Sequence, residues 1–181
     1  MSYSLILKEI GSRLMGLESI SILKIINKDV KVIDQEQNIF DTSKVMIDNS
    51  IGSVVIIDDN NESKNPVGIV TERDVVRIVS TFSLADLQVP VRKLMSYPLI
   101  TLSKNASVLD AMKLMYERKI RRTIVLEDNT LVGIVTEHDI FKLLMSNKEL
   151  ITTVISGDFP IPQKDLYHDF SHFWFSNSFY K

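Results

Sequence analysis

The sequence predicts an α/β (α+β) protein made of two tandem copies of one strand–helix–strand–strand–helix unit, packed on each other about a pseudo-two-fold axis. Three observations predict it. The stretch "GIVTERDVVRI" at 68–78 returns as "GIVTEHDIFKL" at 133–143. Ahead of each copy lie short β-branched runs bounded by turn residues, the pattern of buried strands. Apolar residues at helical spacing then flank each pair of runs.

The repeat has a definite register. Val70-Thr71 and Val135-Thr136 stand 65 positions apart, whereas Met46 and Met115, or Asp41 and Asp110, stand 69 apart. The change falls where "DDNNESKNPVG" faces "EDNTLVG", so the first copy carries four extra polar loop residues. Such an insertion is cheap, because closure entropy grows slowly with loop length. The assigned organisation is an N-terminal amphipathic helix within 1–21, repeat 1 over 22–83, a linker at 84–90, repeat 2 over 91–149 and an aromatic tail at 150–181.

Each repeat reads in the same order. An extended segment opens it, "DVKVI" or "PLITL". An amphipathic helix follows, carrying Ile39, Val45 and Met46 in the first copy and Val108, Ala111, Leu114 and Met115 in the second, where Ser107 is a candidate N-cap. Two strands come next, "SVVIID" with "VGIVT" and "TIVLED" with "LVGIVT". "ERDVVRIVS" and "EHDIFKLLMS" close the copies as helices.

Thr71 and Thr136 stand three residues before Asp74 and Asp139, at the tip of each closing helix. One reading is a capping box, in which threonine and aspartate satisfy the first-turn backbone. The other is a ligand seat, because a helix N-terminus attracts phosphate and a first-turn carboxylate accepts from neighbouring sugar hydroxyls. Both readings are compatible with one geometry. Gly68 and Gly133 admit a closely approaching backbone or ligand in either case.

The pattern resembles the CBS domain (named after cystathionine β-synthase), and the two copies resemble one CBS pair, or Bateman module. Gly68-Ile69-Val70-Thr71-Glu72-Arg73-Asp74 and Gly133-Ile134-Val135-Thr136-Glu137-His138-Asp139 carry the resemblance. It is supported by "IGSVVIID", "IRRTIVLED", "LKIINKDVKVI" and "VRKLMSYPLITL", and covers about residues 22–149. The resemblance implies a regulatory module that binds an adenosyl compound: AMP, ADP, ATP or S-adenosylmethionine. It implies aspartate on the ribose, threonine beside ribose or phosphate, and adenine between the leading segment and a core strand. Carried over by position, the repeat-1 cleft comprises Val30, Lys31, Val32, Gly52, Ser53, Thr71, Arg73 and Asp74. The repeat-2 cleft comprises Leu99, Ile100, Thr101, Arg121, Arg122, Thr136, His138 and Asp139.

The clefts are not equivalent. Gly52-Ser53 stands where the second copy has Arg121-Arg122, and the arginine fork suits phosphate oxygens. The repeat-2 cleft is therefore expected to bind an adenine nucleotide more tightly. Val55 and Ile124 replace the proline that many relatives carry in a "PV" step on the core strand.

Composition sets the outer bounds. With 45% hydrophobic and 24% charged residues the chain is that of an ordinary globular protein. Zero cysteines exclude disulfides, thiolate metal sites and cysteine nucleophiles. A net charge of −2 gives no electrostatic basis for a nucleic-acid partner. The opening residues are interrupted by Lys8, Glu9, Arg13 and Glu18, which fits neither a signal peptide nor a membrane span, so the expected location is cytoplasmic. With three histidines, no nucleophile constellation and no Gly-rich phosphate loop, the expectation is a protein that is not an enzyme and requires no cofactor.

Leu7, Ile10, Leu14 and Leu17 form an apolar helical face, for docking on the chain's own core or for a homodimer. The tail, "GDFPIPQKDLYHDFSHFWFSNSFYK", carries aromatics suited to packing on the module, a second subunit or another protein partner. His168, Asp169 and His172 share a face if helical but lack a third strong ligand, so no metal site is assigned. The alternative to a ligand sensor is a ligand-free scaffold that docks a partner through this tail.

Overall fold

The computed structural model describes residues 15–58, 65–83 and 86–147. The expected tail and most of the expected N-terminal helix lie outside them. The first repeat consists of β1 (Val32–Asp34), α1 (Ile39–Asp48), β2 (Ser53–Asp58), β3 (Asn65–Thr71) and α2 (Glu72–Thr81). The second consists of β4 (Thr101–Ser103), α3 (Val108–Arg118), β5 (Arg122–Glu127), β6 (Thr130–Thr136) and α4 (Glu137–Ser146). The α/β reading with two strand–helix–strand–strand–helix units holds.

Each unit forms a three-stranded sheet, β1-β2-β3 and β4-β5-β6, with one parallel and one antiparallel pairing. The central strands are buried through their middle positions because both faces are covered. Val54, Val55, Ile56 and Ile57 are all buried in β2, as are Thr123, Ile124 and Val125 in β5. Local chemistry sets the helix starts. Ser107 and Asp110 form a capping box on α3, as expected. The α1 start is held instead by Asn38, whose side-chain oxygen accepts from the N–H groups of Phe40 (2.9 Å) and Asp41 (3.0 Å). Asp128 and Asn129, at φ 48° and 65°, make the tight left-handed turn joining β5 to β6.

The two units exchange their leading segments. Leu17 and Ile22, which precede β1, fill the core of the second unit beside Val108, Leu109, Met115, Val125 and Val135. Leu87, Val91 and Leu94, which precede β4, fill the core of the first beside Ile39, Val54, Ile56 and Val70. Backbone pairing follows the same exchange. The Ile22 N–H donates to the Ala106 carbonyl (3.0 Å), and the Val91 N–H to the Gln37 carbonyl (2.6 Å). Asn27 pairs with Ile134 on the edge of β6, and Ser96 with Ile69 on the edge of β3. Swapping the repeats turns each pairing into the other, because 22, 27 and 37 become 91, 96 and 106 at an offset of 69. That correspondence is the pseudo-two-fold axis.

The exchange explains the repeated glycine. A Cβ on Gly133 would lie 2.5 Å from the Asn27 carbonyl oxygen and 2.5 Å from Ile26 Cγ1, and one on Gly68 would overlap the Met95 side chain. The crossing chain passes where a side chain would stand.

Gly133→Ala is expected to destabilise the fold by roughly 1–3 kcal/mol, because a backbone carbonyl must retreat. Gly68→Ala is expected to cost less, because the unbranched Met95 side chain can turn aside. Urea unfolding of the two variants measures the difference.

Candidate functional site

Thr71 ends β3 and caps α2; Thr136 ends β6 and caps α4. Both capping boxes are complete. The Thr71 N–H and hydroxyl donate to Asp74 Oδ2 at 2.9 and 2.7 Å, and the Asp74 N–H donates back to Thr71 Oγ1 at 3.3 Å. In repeat 2 the corresponding distances are 2.9, 2.6 and 3.3 Å. The cap reading of the motif is therefore realised, and each box uses Oδ2 and leaves the second aspartate oxygen, Oδ1, outside it.

The sheet pairings gather the other expected residues at the same end. Ser53 faces Thr71 across β2 and β3, and the Lys31 carbonyl accepts from the Val55 N–H (3.1 Å), which draws residues 30–32 alongside. In the second unit Arg122 faces Thr136, Thr101 faces Ile124, and the Ile100 carbonyl accepts from the Thr123 hydroxyl (3.0 Å). Leu99 is half-buried immediately before it. Lys31 is tied to Asp29 at 2.8 Å, and Arg73 and His138 are exposed on the first helical turns.

Three residues to which the sequence assigns no binding role also shape this end. Ser96 comes from the leading segment of repeat 2, yet its hydroxyl donates to Asp74 Oδ1 (3.3 Å), which also accepts from Arg77 (3.0 Å). Asp74 thus has both oxygens engaged. The positions equivalent to Arg77 and Ser96 are Lys142 and Asn27, and Asn27 Oδ1 accepts from the Asp29 N–H instead (2.9 Å). Among the described residues Asp139 Oδ1 accepts no hydrogen bond. The only signal for Ser96 was its offset of 69 from Asn27.

The other two are Glu72 and Glu137, the first residues of α2 and α4. Their N–H groups donate to the carbonyls of Gly52 (3.2 Å) and Arg121 (3.0 Å). A Cβ on Gly52 would lie 3.0 Å from Glu72 Oε2 and 3.2 and 3.3 Å from the two Nη atoms of Arg122. Arg122 therefore leaves repeat 2 and lies against repeat 1, in space that Gly52 keeps open. Burial pushes its pKa down, as does neighbouring Arg121, while Glu72, Glu137 and Asp74 act in the opposite sense. A separate concavity of about 580 Å³ at the hairpin end of the second sheet, lined by residues 101–105 and 126–129, shares only Thr101 with the candidate cleft.

The carboxyl of Asp74 is held below the usual range. Burial raises it, but hydrogen bonds from the Thr71 hydroxyl and N–H and from Arg77 outweigh that effect. A depressed folded-state pKa means stability that is present above the unfolded value, about pH 3.9, and lost as pH falls through the folded value. Thr71→Ala should cost about 1 kcal/mol at pH 7. The gap from the parent should narrow as acid protonates Asp74, as read by urea unfolding at pH 7 and at about pH 3.

The CBS domain family model matches residues 22–81 and 91–146. Uncharacterized protein MK0525 of Methanopyrus kandleri is 37% identical over 129 residues, which is 70% of this chain and 64% of that protein. The chain thus spans just under two thirds of that relative. The crystal structure of the conserved CBS domain protein TA0289 of Thermoplasma acidophilum aligns at a TM-score of 0.63 and 28% identity, covering 75% of this chain and 74% of that one. The CBS domain pair of protein MJ0100, solved in complex with 5-methylthioadenosine and S-adenosyl-L-methionine, aligns at a TM-score of 0.61 and 23% identity, covering 70% of this chain and 96% of that one. This last likeness concerns the fold.

Proposed function

The chain belongs to the CBS domain family with two copies of the domain, and on that premise we propose that it is a regulatory module binding an adenosyl ligand between its repeats. The ligand class is AMP, ADP, ATP or S-adenosylmethionine. Occupancy biases the relative placement of the repeats, and a partner reads that placement. A ligand shifts such an equilibrium only through its differential affinity for the two arrangements. The role is regulatory rather than catalytic.

One observation carries the proposal. Asp139 Oδ1 lies at the tip of α4, outside the capping box, with its other oxygen fixed by Thr136. That is a pre-oriented acceptor for a sugar hydroxyl. The fold neighbour MJ0100, whose CBS pair holds 5-methylthioadenosine and S-adenosyl-L-methionine, supports the same ligand class. The repeat-2 cleft is the tighter one, since Asp74 is already satisfied by Arg77 and Ser96. That same satisfaction favours the scaffold reading for repeat 1, whose cleft is then a structural joint. Homodimerisation belongs to the proposal too, supported by Val76 and Val79 standing exposed on α2, as does a cytoplasmic location.

Calorimetric titration of the parent, Asp139→Ala and Asp74→Ala with AMP, ATP and S-adenosylmethionine tests the reading. Asp139→Ala is expected to abolish most binding and Asp74→Ala to change it little. A ligand at a hundred times its dissociation constant should also stabilise the parent by about 2.7 kcal/mol. Equal losses in both variants, or no binding by the parent, overturn it.

A further inference from the structure

The closing helices α2 and α4 are one element met twice, yet only α4 has its outer apolar positions covered. Ile78 and Val75 of α2 serve the core of the first unit, whereas Val76 and Val79 do not. They stand 69% and 56% exposed, three residues apart and so neighbours on one helical face. The offset of 65 makes Phe141 and Leu144 of α4 their equivalents, and both are half-buried. Leu144 packs on a core that Leu17, from the first described turn of the chain, helps to close. The chain's own N-terminal turn thus serves repeat 2, and the valine pair of repeat 1 is left in water. Phe82, at the C-cap of α2, extends the apolar side of this face and is also exposed.

We infer that α2 packs antiparallel on α2 of a second copy of this chain, about a two-fold axis between Val76 and Val79. The inference rests on the homodimer in the reading above and names its face. An antiparallel crossing sets Val76 of each copy against Val79 of the other. Charge selects that direction. Glu72 and Arg73 stand at the N-terminal end of the helix, while Asp74 and Arg77 neutralise each other at 3.0 Å. At a rise of 1.5 Å per residue the antiparallel crossing keeps each of Glu72 and Arg73 roughly 13–16 Å along the axis from its own copy. That exceeds the screening length of about 8 Å at physiological ionic strength, whereas a parallel crossing would set like against like. Because α4 is covered, each chain offers one such valine pair, and an isologous contact uses both and closes. Repeat 1, whose Asp74 is already satisfied, becomes the dimerising half and repeat 2 the ligand-binding half.

Sedimentation velocity of the full chain over a concentration series, beside Val76→Glu and Val79→Glu, tests this. The parent is expected to dimerise, and each variant to dissociate at least roughly tenfold more readily, because the contact would desolvate a carboxylate. Both valines lie outside the core, so melting at concentrations where the parent is monomeric should be unchanged and shows that the variants fold. The chain has no cysteine, so Val79→Cys and, on exposed Met145 of α4, Met145→Cys each carry a single thiol. A short bis-maleimide is expected to join Val79→Cys chains into dimers and to leave Met145→Cys chains unjoined. A dimer that both glutamate variants keep equally tight, or equal joining at both positions, overturns this face and leaves the homodimer standing. A parent that stays monomeric throughout overturns the homodimer as well, while ligand binding is read separately by calorimetry. A monomer in which Val79→Cys resists maleimide until residues 150–181 are removed overturns the second copy and assigns the face to the tail.

Discussion

The exchange of leading segments between the repeats is the constraint from which the other features follow. Each sheet is closed on one side by chain from the opposite repeat, with Ile22 in one core and Val91 in the other. Fully burying such side chains is worth roughly 1.5–3 kcal/mol each, so neither core is complete without its neighbour. Gly68 and Gly133 are required by the same crossing. The crossing also brings Ser96 to Asp74, and so makes one helix tip differ from the other.

That difference turns a duplicated motif into two unlike surfaces. The threonine–aspartate boxes match within about 0.1 Å, because a cap is local and its geometry follows from the motif alone. What lies around the boxes is not local. Arg77 and Ser96 complete the partners of Asp74, and Arg122 crosses from β5 towards Gly52. A repeat-specific polar shell around a shared backbone gives the two helix tips different hydrogen-bonding partners.

The repeat offset, the continuous apolar runs of β2 and β5, and the caps at Thr71, Ser107 and Thr136 were all legible in the sequence, because each depends on residues a few positions apart. The glycines announced a close approach, and the crossing backbone is what approaches. The exchange itself was not legible. Helical and strand periodicity mark Ile22 and Val91 as buried without saying against which partner. The direction of Arg122 was hidden for a related reason. Strand alternation assigns a face, but the length of the arginine and the empty space at Gly52 decide that its charge is felt in the opposite repeat. Ser96 is of the same kind, since nothing near it in sequence places it beside Asp74.

The swapped leaders also make the two halves interchangeable in their pairing. The pairings between Ile22 and Ala106, and between Val91 and Gln37, interconvert when the halves trade places. Two identical half-length chains would satisfy them equally well, each lending its first turn to a sister molecule. The peptide connection between the halves then contributes effective concentration rather than architecture. A single polypeptide, unlike two identical chains, can also differ between its halves, as Arg121-Arg122 differs from Gly52-Ser53.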